Sequence, residues 1–404
     1  MITFNEAIGI IEKAVTRSPA VFYPPRACIG SILAAPVTAP WDMPLHTNSS
    51  MDGYAVRADD TADAGPGSPV RLRMIATIAA GEIPDMVIMP GTCAAIMTGA
   101  LVPEGADAVV KIEDTERNGD SISIMHPVNR GDYIRKQGEE AGLGTELIPA
   151  GMPITAAAAG LAESLGIPEL SVYAAPRAAL VITGNEIVPP GTPPAPGMIP
   201  DAAGPALRAA IEHDGLPVTF CEYARDDTDM LKACIQQALE QADVVLVVGG
   251  ASMGEFDLVQ DVLRTLNVRE AFWRAAIKPG KPIWFGMRGP KAVFNLPGNP
   301  VSALVTYYLF VRYYCRRVTG WPADQAGLLR LHARLTRAIT KDTPRLEFVR
   351  GTVRSRTAGY EASPIELRGS GMLSGLATAN CLIEFPLDRE RLDAWESVVV
   401  QMLP

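Results

Sequence analysis

The sequence predicts a multidomain α/β protein organised around a doubly wound, parallel α/β domain over residues 176–322. Between residues 176 and 320, short apolar runs alternate with helix-period segments, the pattern of strand–helix–strand units. On either side, over residues 46–141 and 323–404, that pattern gives way to short strand-like runs between turn clusters. The 34 prolines and 36 glycines punctuate the chain into many short elements. At roughly 150 residues per domain the length accommodates about three domains.

Taken in order, Thr3 followed by apolar Phe4, Ala7, Ile8, Ile11 and Val15 has helical spacing behind a capping residue, so a helix is expected over residues 3–15. Val70 to Met74 and Ser121 to Ile124 alternate as strands do. Thr155 to Leu165 reads as a helix closed by Gly166. Ala179 to Ile182 is a buried-strand signal ending at Thr183-Gly184, and the helix through Leu207 and Ile211 stops at Gly215. A strand from Val218 to Tyr223, a helix from Met230 to Glu240 and a strand from Val244 to Val248 follow. After Trp321-Pro322, alternation from Leu329 to Leu335 predicts a small terminal β domain.

Composition narrows the function. With 48% apolar residues the chain has material for several cores and is not disordered. A net charge of −9 repels phosphate backbone at long range, which excludes a general nucleic-acid binder. No secretory signal is expected from Met1-Ile2-Thr3-Phe4-Asn5-Glu6, and the longest apolar stretch, Val301 to Cys315, is broken by Arg312, so no membrane span is expected. Cys28, Cys93, Cys221, Cys234, Cys315 and Cys381 are scattered, and the histidines are His46, His126, His213 and His332. Neither a disulfide framework nor a zinc site follows, and a cytoplasmic protein with reduced thiols is expected.

Ligands of doubly wound sheets bind beyond the carboxyl ends of the strands. Those ends carry Thr183-Gly184-Asn185-Glu186, Arg225-Asp226-Asp227 and Gly249-Gly250-Ala251-Ser252. Lys278-Pro279-Gly280-Lys281-Pro282 places two lysines on a proline-stiffened turn, a place for an anion, although a solvated basic loop has the same composition. In Asn295-Leu296-Pro297-Gly298-Asn299-Pro300-Val301-Ser302, Asn299 suits an N-cap and Pro300 the first helical position. Gly298 there gives a ligand room to approach, and the helix start favours an anion; an ordinary capped helix accounts for Asn299 and Pro300 equally well.

Gly250-Ala251-Ser252-Met253-Gly254 has the form of a nucleophile elbow, but the only histidine after it, His332, lies in the expected terminal β domain, so a glycine-rich turn is the better reading. Glu186, Asp226, Asp227 and Asp257 all follow strands of one sheet. Any one of them alone would suit a helix cap or a solvated loop. Four oxygen ligands converging with two lysines suit Mg²⁺ with a phosphate.

These motifs together resemble one family, the molybdopterin molybdenumtransferases, which include MoeA and the E domain of gephyrin. The resemblance rests on Asn48 to Val56, Met97 to Ala100, Pro103 to Val110, Gly138-Glu139-Glu140, Thr183 to Glu186, Gly249 to Asp257, Lys278 to Pro282 and Leu296 to Ser302, and it runs from end to end. It implies an elongated helical domain over 1–45 and 142–175, a β-rich insertion over 46–141, a molybdopterin-binding α/β domain over 176–322 and a barrel-like β domain over 323–404. It also implies a homodimer whose clefts draw on both subunits, with transient contacts to a molybdopterin adenylyltransferase and to recipient molybdoenzymes. The implied reaction is Mg²⁺-dependent insertion of molybdate into adenylylated molybdopterin (molybdopterin-AMP), releasing AMP.

Residue by residue, the resemblance assigns catalytic roles to Asp52, Thr98, Glu140, Glu186, Asp226, Arg274, Lys278 and Lys281. It assigns cofactor binding to Gly249, Gly250, Ser252, Pro297, Gly298, Asn299, Ser302, Arg350 and Ser370, and Mg²⁺ to Glu186, Asp226 and Asp257. The chemistry agrees, because lysine, arginine and serine side chains suit a tetrahedral dianion. The chain departs from the family pattern at Asn185, Glu140 and Arg274, where Asp, Asp and Lys are usual. It also reads Asp201-Ala202-Ala203 where polar side chains usually follow the aspartate, and alanines neither donate nor accept. Two other readings remain at this level: tungstate insertion, and a scaffold that binds the precursor without turnover.

Overall fold

The computed structural model describes residues 1–250, 258–367 and 369–404. The chain folds into two compact units, one of Met1–Ala34, Gly151–Thr155 and Glu169–Pro404, the other of Ala35–Ala150 and Ala156–Pro168.

The first unit holds a six-stranded sheet in the order Val218–Ala224, Ala178–Thr183, Val244–Val248, Lys291–Leu296, Trp284–Arg288, Arg269–Trp273. The first four strands run parallel and the last two are antiparallel additions. All five residues of Val244–Val248 are buried because both faces of the sheet are covered. Leu180, Leu246 and Phe294 face one core with helix Ala203–His213 and the helical run from Pro300 to Val318. Val181, Val247 and Val293 face the other with helices Thr228–Gln241 and Leu258–Thr265. The doubly wound expectation therefore holds, with an antiparallel edge that periodicity did not reveal.

The local signals act as expected in most places. Helix Phe4–Ala14 opens with a capping box: the Thr3 hydroxyl accepts from the Glu6 N–H, and the Glu6 carboxylate accepts from the Thr3 N–H at 2.7 Å. The Asp227 carboxylate caps helix Thr228–Gln241, accepting from Asp229 and Met230. Asn299 does stand at the N-cap before Pro300, yet among the described residues its side chain makes no capping hydrogen bond. The helical run continues to Val318 through a π-turn at Tyr307–Val311.

The same unit ends in a closed barrel. Leu346–Arg356 pairs with Gly359–Pro364, then come Arg330–Leu335, Ser397–Met402 and Cys381–Phe385, and the last pairs back onto Leu346–Arg356. Leu335, Val349, Ile383, Phe385 and Val400 fill it. The short strand Ile277–Lys278 joins this sheet in parallel and sets Lys278 opposite Glu347.

The second unit carries its own six-stranded sheet, in the order Ala108–Lys111, Gly53–Val56, Thr92–Ile96, Val70–Ile78, Ser121–Ile124, Thr115–Asn118. Gly53 cannot bear a side chain, since a Cβ there would lie 2.0 Å from the Val110 carbonyl oxygen. Helix Ala156–Ser164 ends at Gly166 as expected, with φ +67 there and the Ile167 N–H returning to Ala162. Among the described residues no helix is long and apolar enough to cross a membrane. The six cysteines are free, and burial pushes the Cys93 thiol up to about 12.

Candidate functional site

Parallel pairing puts Ile182, Val248 and Leu296 side by side, so the turns after these three strands open at one place. They frame a cavity of about 710 Å³. Its floor is backbone: Gly184, Gly249, Gly250, Pro297, Gly298 and Asn299 all line it. Gly249 has φ +105, and a Cβ there would lie 2.6 Å from the Thr183 hydroxyl and 2.7 Å from its carbonyl oxygen. Among the described residues, a Cβ on exposed Gly298 would meet only the Gly249 Cα, at 3.4 Å. A backbone floor of this kind lets a bulky, phosphate-bearing ligand come close.

Acidic residues supply the cavity's charge. Glu186 and Asp226 both line it. Asp226 is oriented by Asn185: its carboxylate accepts the Asn185 N–H while its own N–H donates to the Asn185 side-chain oxygen, each at 3.2 Å. Asp201 accepts from the N–H groups of Ala203 and Gly204 and from the Tyr223 hydroxyl. The backbone donors beside Ala202 and Ala203 are thus turned inward, and both alanines reach the cavity wall without polar side chains. Burial, then Asp201, pushes the Tyr223 phenol above its ordinary range. Asp227, grouped with these acids from sequence, is the helix cap.

Among the described residues no three metal-ligating side chains cluster. Two carboxylates in a roomy, oxygen-rich cavity nevertheless fit Mg²⁺, which takes one or two carboxylates and completes its shell with water and phosphate.

A second cavity, of about 400 Å³, adjoins the first, and Pro282 lines both. The sequence-predicted residues Lys278, Lys281, Ser302, Arg350 and Ser370 all line it. The Val301 N–H donates to the Ser370 carbonyl, tying the helix start to the loop that carries that serine. Arg350 is 5% exposed, and its guanidinium donates to the carbonyls of Met372 and Gly369, so its direction is fixed. Two further residues, missed from sequence, complete the wall: Arg345 and Glu347. The Lys278 ammonium lies 3.3 Å from the Glu347 carboxylate. The only signal for Glu347 was a charge between the apolar residues Leu346 and Phe348 of strand Leu346–Arg356, and Arg345, just before that strand, carried none.

The remaining predicted residues lie elsewhere. Arg274 is in the wall of neither cavity; it stacks on Trp273 at 3.7 Å with φ +66, and its Nε is buried with no partner among the described residues. Asp52, Thr98 and Glu140 belong to the other compact unit. Asp52 accepts from the Thr98 N–H at 2.7 Å and from its hydroxyl at 2.8 Å, which together hold its carboxyl below the usual range. Glu140 is exposed, and its N–H donates to the Met43 carbonyl. Ser252 and Asp257, with most of the elbow-like turn, lie outside the described residues. His332 is an exposed residue of a barrel strand.

Comparison with known proteins is consistent along the chain. The family described as MoeA N-terminal region (domain I and II) matches residues 2–166, the probable molybdopterin binding domain matches 179–317, and the MoeA C-terminal region (domain IV) matches 332–403. Molybdopterin molybdenumtransferase 2 of Mycobacterium tuberculosis is 36% identical over 369 residues, covering 89% of each chain. The molybdopterin molybdenumtransferase of a Nostoc species is 30% identical, covering 100% of this chain and 93% of its own. A solved molybdopterin biosynthesis moeA protein from Pyrococcus horikoshii superposes with a TM-score of 0.83 at 35% identity, covering 100% of this chain and 99% of that one.

Proposed function

We propose, from the premise that this chain belongs to the molybdopterin molybdenumtransferase family, that its two adjoining cavities seat the two ends of one metal-insertion reaction. The chain is an enzyme of molybdenum cofactor biosynthesis that inserts molybdate into molybdopterin. In our reading the basic cavity receives the oxyanion and the strand-end cavity receives the adenylylated end of the precursor.

The observation that carries this reading is the meeting of Lys278, Lys281, Ser302, Arg350 and Ser370, from separate stretches of chain, in one wall. Molybdate is a tetrahedral dianion, and ammonium, guanidinium and hydroxyl groups offer it charge and donors together. Gly249 and Gly298 give the nucleotide room, and Asn185 keeps Asp226 turned toward it. Glu186 and Asp226 would hold Mg²⁺, which supplies stabilisation of the negative charge that builds when a phosphate bond breaks. The homodimer, the transient protein partners and the cytoplasmic setting, where the free thiols stay reduced, belong to the same proposal.

The test is AMP release from molybdopterin-AMP with Mg²⁺, with and without molybdate or tungstate. Release coupled to molybdate is the expected result, and release coupled only to tungstate would reassign the metal. Binding without release would favour a scaffold, the reading to which Ala202 and Ala203 in the cavity wall lend weight. The double variant Ala202→Ser, Ala203→Asn locates the cause: an unchanged rate would show that the missing side chains do not matter.

A further inference from the structure

We propose that Glu347 is a specificity-determining residue of the basic cavity, selecting an oxyanion that carries a proton on the oxygen facing it and rejecting one that cannot, such as sulfate. The inference rests on the reading that this cavity takes the substrate oxyanion.

A carboxylate is out of place among groups gathered to hold an anion. Lys278, Lys281, Arg345 and Arg350 line the wall, and Glu347 is the one acidic side chain among its described residues. Its position is fixed by the sheet, since Glu347 is the register partner of Lys278 where Ile277–Lys278 joins Leu346–Arg356. The Glu347 side chain is 8% exposed, whereas Lys278 is 43% exposed and 3.3 Å away. Lys341, itself buried, donates to the carbonyls of Arg345 and Pro386; burial holds its ammonium's pKa below the ordinary value against the opposing charges of Glu347 and Asp388. The cations that interact with Glu347 are therefore Lys278 and Lys341, with Arg345 in the same cavity wall.

Two carboxylate oxygens accept about four hydrogen bonds, and Lys278 is the one side-chain donor Glu347 has among the described residues. Acceptor capacity remains on a group that lines the cavity. A bound oxyanion brings its own oxygens there. If the facing oxygen is bare, two acceptors meet with no proton between them. If it carries a proton, it donates a short, charge-assisted bond to Glu347. Molybdate and tungstate are stronger bases than sulfate and can take up that proton from solvent on binding. Sulfate, of the same charge and shape, does so far less readily. The four cations supply attraction for any dianion, and Glu347 supplies the difference between them.

Calorimetric titration of the full chain with molybdate, tungstate and sulfate tests this. In wild-type protein, molybdate binding measured in buffers of different ionisation enthalpy should take up about one proton, and sulfate should bind weakly. In Glu347→Gln, whose amide can donate to a bare oxygen, sulfate should tighten relative to molybdate by roughly tenfold to a hundredfold. Glu347→Asp, which keeps the charge, should still disfavour sulfate.

An unchanged molybdate-to-sulfate ratio in Glu347→Gln overturns the inference. So does molybdate binding without proton uptake in the wild type, a measurement that needs no variant to fold. Lys281→Ala separates the two levels. If it weakens molybdate binding by roughly tenfold or more, the cavity assignment stands and the Glu347 results decide the inference alone. If wild-type protein binds neither oxyanion, or if Lys281→Ala leaves binding intact, the cavity assignment fails and the inference with it.

Discussion

The pair Arg312–Asp214 and the pair Lys278–Glu347 lie in the same compact unit and use the same chemistry, but only in the first does each carboxylate oxygen have a donor of its own. Asp214, just past helix Ala203–His213, accepts from Arg312 Nε at 2.8 Å and from the Tyr307 hydroxyl at 2.8 Å, with the paired side chains 9% and 7% exposed. Burial, then Asp214, drives the Tyr307 phenol far above its ordinary range, so it remains a donor. Lys278 and Glu347 stand farther apart, with the ammonium open to the basic cavity. An ion pair in which each carboxylate oxygen has its own donor fixes a helix against a neighbour. One whose two oxygens share a single ammonium beside a cavity has capacity left to bind.

The largest effect expected from this contrast is on folding. Asp214→Ala leaves Arg312 buried without its carboxylate, and breaking such a pair costs about 3–5 kcal/mol, read as a drop in urea-unfolding stability. A loss under about 1 kcal/mol would put the pair among ordinary surface contacts and break the comparison. Lys281→Ala lies at the other pole. Lys281 is half-buried in the cavity wall, so its removal should change stability by about 0.5 kcal/mol or less. Oxyanion binding should weaken by roughly tenfold or more, the worth of one charge-assisted bond. Equal loss of stability and binding would mean that the cavity wall is structural.

Most of the fold was legible because its signals are local. Val244 to Val248 announces a buried strand, and Thr3 ahead of Phe4, Ala7, Ile8 and Ile11 announces a helix start. The antiparallel strands Arg269–Trp273 and Trp284–Arg288 were not, since their polar and aromatic residues follow no clean period and their role comes from pairing. The site divides in the same way. Lys278 and Lys281 stand out on a proline-rich turn, but Glu347 is 69 residues from Lys278 and joins it only through a short cross-sheet pairing. Asn299 shows the converse: residue preference marked the helix boundary correctly, and the side chain still makes no capping bond among the described residues.

The glycines of the strand-end cavity allow the same distinction to be drawn with a single methyl group. Gly249→Ala places a Cβ within 2.7 Å of two Thr183 oxygens at a φ that disfavours any side chain, and it should destabilise the fold by about 1–3 kcal/mol. Gly298→Ala meets only one backbone carbon among the described residues, at 3.4 Å, and should leave stability within about 0.5 kcal/mol. Its methyl group enters the cavity, so AMP affinity should fall severalfold by calorimetry. Unchanged AMP binding in Gly298→Ala would remove the nucleotide from this face of the cavity.

The smallest effect concerns Asp52, a carboxylate with no cation partner among the described residues, whose ionised form is favoured by the Thr98 N–H first and the Thr98 hydroxyl second. Its folded-state pKa is depressed, so its contribution to stability is full above the unfolded aspartate value, about 3.9, and is lost as pH falls through the lower folded value. Thr98→Val removes the hydroxyl bond and keeps the N–H. The Asp52 pKa should therefore rise part of the way, and the acid-side loss should be smaller and complete at a slightly higher pH, as followed by NMR titration of the side-chain carboxyl. A full return to the ordinary range would mean that the hydroxyl does all the holding. No change would mean that the backbone does. The partial shift is expected because both donors reach the same oxygen, at 2.7 and 2.8 Å, in a solvent-exposed setting where neither is strengthened by burial.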